Sequence, residues 1–220
     1  MNIYGKLVVV GQGYVGLPLA MRAVEVGWSV VGIEVDEGRV KRLTSGESYV
    51  EDIPDTVVAA AISSGRYQAS SSYQDAFGFD VAVVTVPTPL REGIPDLSYI
   101  ESSGRSLGPR LRPGATVILE STTYPGTTDE LFGPLLEETS GLVAGDSFFL
   151  GYSPERIDPG NQSWNLVNTP KVVSGIDEQS LQAVRAFYGS IVETTVPVAS
   201  VRTAELTKLL ENTFRHVNIA

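Results

Sequence analysis

A strand-like run followed by a glycine loop constrains the fold of this chain more than any other feature. KLVVV (6–10) is an uninterrupted apolar run, and GQGYVGLPLA (11–20) follows it directly. Such a run is typical of a parallel strand that is buried on both faces. Gly11 permits a tight turn, Gly13 lets a ligand approach the backbone, and Gly16 lets the next helix pack close to the sheet. The pattern therefore predicts a βα unit at the start of an α/β domain.

Short apolar runs alternate with amphipathic stretches along the rest of the chain, an order that predicts a mainly parallel sheet with helices on both faces. The predicted strands are residues 6–10, 29–34, 81–86, 116–120, 148–151, 171–174 and, roughly, 191–195. The predicted helices are residues 15–27, 36–45, 55–64, 97–107, 128–138, 178–188 and 201 onward. Thr127 and Glu130 match a capping box at the start of the fifth helix. We predict a Rossmann-like, doubly wound α/β fold.

Composition limits the classes of partner. The 16 basic and 26 acidic residues give a net charge of −10, which argues against a nucleic-acid-binding surface. No apolar run reaches the roughly 20 residues that span a bilayer, and the N-terminus does not read as a signal peptide. We therefore expect a cytoplasmic protein without membrane or nucleic-acid partners. Because the sequence has no cysteine and one histidine, His216, we expect neither a metal site nor a thiol nucleophile within it.

The acidic residue at the end of the second predicted strand indicates a cofactor. A glycine loop alone is a weak signal, because a tight βα turn without a ligand has the same pattern. Glu34 lies 23 residues after Gly11, where a carboxylate can accept hydrogen bonds from the adenosine ribose. That carboxylate would repel a 2′-phosphate, which favours NAD over NADP. Asp36 is the alternative ribose ligand, although it also suits a helix cap, and Arg39 could lie beside the adenosine.

Two further loops follow predicted strands at the edge where ligands bind in open α/β sheets. They are TVPTP (85–89) and ESTTYPGTT (120–128). Their candidate binding residues are Pro87, Thr88, Ser121 and Thr122. Ordinary turns with hydroxyl caps are the simpler explanation of both loops.

A third loop and the last predicted helix carry charged candidates. GYSPERIDPGN (151–161) places Glu155 and Arg156 after a strand, where the glutamate could act as a general base, order a water or form a surface salt bridge. Lys208 and Asn212 are four residues apart on one helix face, and Glu205 and His216 extend this polar strip in either direction. They could stabilise an oxyanion, or they could be a solvated pair on a helix surface.

Six motifs together resemble those of the nucleotide-sugar 6-dehydrogenases, the family that includes the UDP-glucose and GDP-mannose dehydrogenases. They are GQGYVGLPLA, TVPTP, ESTTYPGTT, YSPERIDPGN, KVVSG and AELTKLLENTFRHVNIA, and they extend over the whole chain. SPERIDPGN and ENTFRHVNIA look most like the UDP-N-acetylglucosamine 6-dehydrogenase branch. In the UDP-glucose enzymes a second glutamate follows the first by four residues, whereas this chain has Pro159 there.

The resemblance implies that the C6 alcohol of a UDP-hexose is oxidised to a carboxylate with two NAD, through an aldehyde and a cysteine-bound thioester. It implies NAD contacts for Gly11, Gly13, Tyr14, Val15, Gly16, Glu34, Arg39, Pro87, Thr88, Ser121 and Thr122. Thr122 would also hold a catalytic water, and Glu155 would be the general base of the hydrolysis. Lys208 and Asn212 would bind the C6 oxygen.

The family's cysteine belongs to a second, nucleotide-sugar domain that this chain lacks. We therefore expect an NAD-binding domain over residues 1–197 and, over 198–220, the start of the family's central helix, through which a homodimer would form. We expect this chain to be inactive alone. The alternatives are a stand-alone NAD-binding or dimerising module, a UDP-glucose 6-dehydrogenase, and a β-hydroxyacid-type dehydrogenase with a helical second domain.

Overall fold

The computed structural model describes residues 4–156 and 164–219. Its strands are β1 (Lys6–Val10), β2 (Ser29–Ile33), β3 (Tyr67–Ser70), β4 (Val81–Val84), β5 (Leu90–Arg91), β6 (Ile94–Pro95), β7 (Thr116–Leu119), β8 (Phe149–Tyr152), β9 (Lys171–Gly175) and β10 (Thr195–Pro197). Its α-helices are α1 (Gly16–Val26), α2 (Glu37–Thr44), α3 (Asp55–Ser63), α4 (Ser98–Leu107), α5 (Gly133–Ser140), α6 (Glu178–Gly189) and α7 (Val201–Ile219). Pro159, residues 157–161 of the third loop and Ala220 lie outside the described residues.

Eight strands form one sheet in the order β10-β9-β8-β7-β4-β1-β2-β3. All neighbours pair in parallel except β8 and β9, which are antiparallel. Numbered by chain order, the six strands from β3 to β8 have the spatial order 3-2-1-4-5-6 of the doubly wound dinucleotide-binding fold. This confirms the predicted fold class. The strand order reverses between β1 and β4, so the loops after these strands flank the crevice where ligands bind in such sheets.

Both faces of the central strands are buried, as the apolar runs predict. Along β1, Leu7 and Val9 belong to a core cluster that also contains residues of α1 and α6. Val8 and Val10 belong to a second cluster on the other face, together with residues of α4 and α5. The helices on the two faces therefore cover the sheet and leave its carboxyl edge to the loops.

Three local features differ from the sequence-based prediction. β3 is an additional strand at the sheet edge, and only its two ends, Tyr67 and Ser70, are buried. β5 and β6 form a small hairpin that was not predicted, with positive φ values at its two turn residues. The last strand begins at Thr195 rather than near Ile191, because the amide groups of Ile191 and Val192 bond to the Tyr188 carbonyl at the end of α6.

The capping box predicted at Thr127 and Glu130 is wrong. The segment begins with a π-helical turn, Thr127–Phe132, that leads into α5, and no side chain of its own caps it. The Thr127 hydroxyl instead donates to the Tyr124 carbonyl at 2.9 Å and lies 2.5 Å from the Thr123 hydroxyl. The backbone amides of Gly126 and Thr128 at the start of this turn donate hydrogen bonds to the Glu205 carboxylate of α7.

Candidate functional site

The glycine loop connects β1 to α1 at the point where the strand order reverses. Gly11 has a φ of 90°, which L side chains rarely adopt, and its amide donates to the Ile33 carbonyl. A Cβ at Gly16 would lie 1.9 Å from the Gly11 carbonyl oxygen, so only glycine allows the helix to start this close to the turn. A Cβ at Gly13 would meet no described atom within 4 Å. The loop therefore offers an open backbone at the N-terminus of α1, a geometry that suits a pyrophosphate.

Gln12, which no sequence pattern marks, connects the glycine loop to the rest of the domain through hydrogen bonds. The side chain is fully buried, donates to the Val9 carbonyl at 2.9 Å, and accepts from the Tyr67 hydroxyl at 2.8 Å. The Gln12 carbonyl accepts from the Tyr49 hydroxyl. Since Tyr49 and Tyr67 are far away in sequence, no local pattern marks the residue. Its only signal is an amide side chain within an otherwise apolar strand-to-helix turn.

Glu34 follows β2 and lies beside the glycine loop. Its carboxylate accepts hydrogen bonds from the backbone amides of Gln12, at 3.3 Å, and of Asp36, at 3.1 Å. The Arg39 guanidinium lies 3.6 Å from the same carboxylate. Asp36 caps α2 by accepting from the amides of Gly38 and Arg39. Both carboxylates therefore already accept backbone hydrogen bonds, and Glu34 is the one that contacts the glycine loop, through the Gln12 backbone amide. Glu34 as the ribose ligand and Arg39 beside the adenosine stay predictions.

The loops after β4 and β7 are joined by two hydrogen bonds. The Thr88 hydroxyl donates to the Thr122 carbonyl at 2.6 Å, and the Ser121 hydroxyl donates to the Val86 carbonyl at 2.7 Å. Ser121 is buried, whereas Pro87 and Thr122 are exposed. The Ser121 hydroxyl therefore connects the two loops, whereas the Thr122 side chain is exposed at the strand ends.

Tyr14 and a separate groove lie away from these loops. The Tyr14 side chain is 64% exposed on the outer side of the glycine loop, next to the half-buried Val15. It borders a groove of about 990 Å³ formed mainly by α1, α3 and residues 164–168. Among the predicted site residues only Tyr14 lines this groove, so the groove does not coincide with the carboxyl edge of the sheet. The strand topology and the glycine loop indicate that edge as the cofactor site.

Glu155 follows β8, and its carboxylate belongs to a buried group of charged residues rather than to a surface salt bridge. Its carboxylate accepts from the Lys171 ammonium at 2.9 Å and from the Arg156 amide at 2.6 Å. Lys171, on β9, also contacts Glu120, which directly follows β7. Burial raises the pKa of Glu120 to about 8 even though Lys171 opposes this. Burial alone would lower the pKa of Lys171, but the two glutamates outweigh it and raise it.

The first half of α7 docks against the same loop. The Lys208 ammonium donates to the Glu155 carbonyl oxygen, and Arg156 pairs with Glu211 one turn further. Burial lowers the pKa of Lys208, with Glu155 acting in the opposite direction. Asn212 is partly buried one turn after Lys208. The structure thus brings Lys208 to Glu155, whereas His216 remains exposed at the far end of the helix.

Glu205 is part of the anchor of α7 and not, as the helix pattern suggested, of its polar strip. It is fully buried and accepts from the amides of Gly126 and Thr128 at 2.7 and 2.9 Å, and from the Thr128 hydroxyl at 2.7 Å. Burial raises its pKa, and the hydrogen bonds from Thr128 and Gly126 partly counter this. The carboxylate thereby satisfies amide groups at the start of a helix, where negative charge is favourable.

We expect Glu205→Gln to lower the free energy of unfolding by about 2 kcal/mol. The amide has one acceptor oxygen where the carboxylate has two, so its NH₂ group would face a backbone N–H. Urea unfolding at neutral pH measures the loss. Glu211→Gln, which breaks a more exposed ion pair on the same helix, is the matched control and should cost less than about 1 kcal/mol. Equal losses in both variants would contradict the anchoring role.

Among residues 4–156 and 164–219, no group of histidine, aspartate and glutamate is arranged to hold a metal ion. Within the same part of the chain, no helix has the length and apolar character needed to cross a bilayer.

Comparison with known proteins agrees with this geometry. Residues 5–192 match the model of the UDP-glucose/GDP-mannose dehydrogenase family, NAD binding domain. The UDP-N-acetyl-D-mannosamine dehydrogenase of Pyrococcus horikoshii is 36% identical over 98% of this chain and 51% of its own length. The UDP-N-acetyl-D-glucosamine 6-dehydrogenase of Pseudomonas aeruginosa is 39% identical over 98% of this chain and 50% of its own length. This chain therefore spans about half the length of the curated relatives it matches.

A solved structure of a UDP-D-ManNAc dehydrogenase from Pyrococcus horikoshii superposes with a TM-score of 0.92 at 35% identity, covering 97% of this chain and 51% of that one. The family match covers the glycine loop, Glu34 and the loops after β4, β7 and β8, which are the parts that form the carboxyl edge described above. This chain belongs to the UDP-glucose/GDP-mannose dehydrogenase family and contains its NAD-binding domain.

Proposed function

We propose that this chain is the NAD-binding part of a nucleotide-sugar 6-dehydrogenase that oxidises the C6 alcohol of a UDP-N-acetylhexosamine, with UDP-N-acetylglucosamine as the first candidate. Family membership supports the reaction class. The N-acetylhexosamine is supported by the relatives, which include a UDP-N-acetyl-D-mannosamine dehydrogenase and a UDP-N-acetyl-D-glucosamine 6-dehydrogenase.

One observation carries the catalytic half of the proposal, namely the contact between Lys208 and the Glu155 carbonyl. It joins a helix-borne lysine to a loop glutamate at the carboxyl edge of the sheet, the same edge that carries the glycine loop. A cation and a carboxylate at the same sheet edge as a dinucleotide-binding loop are suited to oxidising an alcohol and activating a water.

Each residue can be given a role by its chemistry. NAD, when bound, accepts a hydride from the alcohol carbon. Lys208 favours negative charge on the C6 oxygen, and the Asn212 amide can donate to the same oxygen from one turn further along α7. Glu155 accepts a proton from water, and the outward-facing Thr122 hydroxyl helps hold that water. Since the sequence has no cysteine, a thioester would need a cysteine from outside these 220 residues.

The exposed side of α7 supports a homodimer as the assembly of this protein. Four large apolar side chains occur on this helix at spacings of four, four and three residues. Between 54% and 73% of each is exposed, namely of Leu206, Leu210, Phe214 and Val217. Residues at these spacings share one helix face. A second copy of the helix would cover this face with matching apolar groups.

Isothermal titration calorimetry with NAD and NADP tests the cofactor half. We expect NAD to bind at least about ten-fold more tightly than NADP, because the Glu34 carboxylate repels a 2′-phosphate. Glu34→Gln should narrow this ratio, since the charge is removed while the side-chain shape is kept. Asp36→Asn is the matched control, because it removes a neighbouring charge that caps α2, and it should leave the ratio largely unchanged. Equal or tighter binding of NADP by the unmodified chain would refute the assignment.

A further inference from the structure

Glu155 is backed by a group of buried polar residues for which the reaction described above has no role. Glu120 follows β7, Lys171 begins β9, and Tyr188 lies on the inner side of α6. Glu120 and Lys171 are each 3% exposed, and Tyr188 is fully buried. Charged residues are almost never this deeply buried unless they are paired. We refer to Glu120, Lys171, Tyr188 and Glu155 as the buried cluster.

Its contacts are charged and complementary. The Lys171 ammonium contacts Glu120 Oε1 and lies 2.9 Å from Glu155 Oε2. The Tyr188 hydroxyl donates to Glu120 Oε2 at 2.6 Å, and the Lys171 ammonium lies 5.2 Å from the centre of the Tyr188 ring.

Charge balance indicates that the two carboxyl groups share one proton. Lys171 is the ammonium that contacts both of them, whereas the Lys208 ammonium donates to the Glu155 main-chain carbonyl. With both glutamates ionised, the pair would carry one more negative charge than the ammonium between them in a nearly buried site, which is costly. With one proton on the pair, the two carboxyl groups and Lys171 are neutral together. Glu120 is the deeper of the two, since Glu155 keeps about a tenth of its side chain exposed. Desolvation therefore favours the neutral form at Glu120 and leaves the charge at Glu155.

The surrounding groups are consistent with this distribution. Burial raises the pKa of Glu120 to about 8, so it is mostly protonated at neutral pH. The pKa of Tyr188 is raised by burial, and that of Tyr152 is raised by burial as well, so both remain neutral phenols. Among the described residues, Lys208 on α7 is a second cation close to Glu155.

We propose that Glu120, Lys171 and Tyr188 are positioning residues for Glu155: Glu120 holds one proton at neutral pH, while the Lys171 ammonium keeps the Glu155 carboxylate ionised and directed toward β9. The link to water activation rests on the proposed function, whereas the distribution of proton and charge does not. The cluster would keep a base ionised in a nearly dry site.

Carbon-13 NMR of the chain labelled at the glutamate side-chain carboxyl carbon tests this directly. Between pH 5 and 10 we expect one carboxyl resonance to titrate with a midpoint near 8. This step should disappear in Glu120→Gln, which keeps the hydrogen-bonding shape. The Glu155 resonance, identified by its loss in Glu155→Gln, should report an ionised carboxylate on both sides of that step. In Lys171→Met that resonance should instead titrate within the neutral range, because the neighbouring cation is gone.

Glu205→Gln is the matched control, because Glu205 is a second buried glutamate with a raised pKa. The step near pH 8 should survive this change. The proposal is overturned if no carboxyl titrates above about pH 6.5, if the step survives Glu120→Gln, or if the step belongs to the Glu155 resonance. Failure of the proposed function would appear separately, as an absence of NAD binding in calorimetry.

Discussion

Gly13→Ala should leave the stability of the protein unchanged while weakening NAD binding by at least about fifty-fold. The added methyl group meets no described atom within 4 Å, so the fold can accommodate it. It would, however, stand where the loop backbone must approach a pyrophosphate, and the lost contacts could not be recovered by a small shift. Calorimetry with NAD and thermal unfolding of the same samples measure the two quantities.

Gly16→Ala is the comparison that separates folding from binding. Its Cβ would lie 1.9 Å from the Gly11 carbonyl oxygen and 2.6 Å from the Thr85 hydroxyl, so the turn or the helix must move. We expect this variant to lose about 1–3 kcal/mol of unfolding free energy as well as NAD affinity. If Gly13→Ala bound NAD within about three-fold of the unmodified chain, the glycine loop would not be the pyrophosphate site.

The second large effect is expected at Lys171, because its removal leaves two carboxyl groups buried without a cation. Lys171→Met should lower the free energy of unfolding by about 3–5 kcal/mol at pH 8. At pH 5.5 we expect a smaller loss of about 1–3 kcal/mol, since both glutamates can be neutral there and mainly hydrogen bonds are missing. Urea unfolding at the two pH values gives the difference.

The sign of this pH dependence follows from Glu120. Its pKa is raised in the folded state, so its protonated form stabilises the fold fully below about pH 4.5, and this contribution is lost as the pH rises through about 8. Lys171→Met makes that loss steeper. Adding Glu120→Gln to the same variant should recover part of the stability at pH 8, because one buried acid is then permanently neutral. A loss below about 1 kcal/mol at pH 8, or one that grows toward pH 5.5, would contradict this account.

Local sequence patterns predicted the features that depend on neighbouring residues. The glycine loop, the apolar strands and the cap at Asp36 each depend on residue types within a few positions of one another, and the structure has them where they were expected. The mainly parallel, doubly wound sheet also followed, because βα alternation leaves few ways to arrange the strands. β3 was missed because an edge strand buries only part of its side chains, and YQAS carries no apolar run.

The residues that organise the site could not be found in this way. Gln12 depends on tyrosines 37 and 55 residues away, and Lys171 depends on a glutamate 51 residues away. Such partners meet only after the sheet has formed, and single polar residues in apolar runs give no hint of one another. Glu205 was placed on the polar side of α7 because helix spacing gives the face of a residue, but not which face the domain covers.

The helix α7 is held along its first half and exposed along its second. It is bound at Glu205 by amide groups of the Gly126–Thr128 turn and at Lys208 and Glu211 by the loop after β8, whereas residues 213–219 carry exposed side chains. From Glu211 to Ile219 the helix rises about 12 Å, so a bend of about 10° at Glu211 displaces the far end by about 2 Å. Small adjustments in the loop after β8 would thus reach whatever packs against the exposed end as a larger displacement.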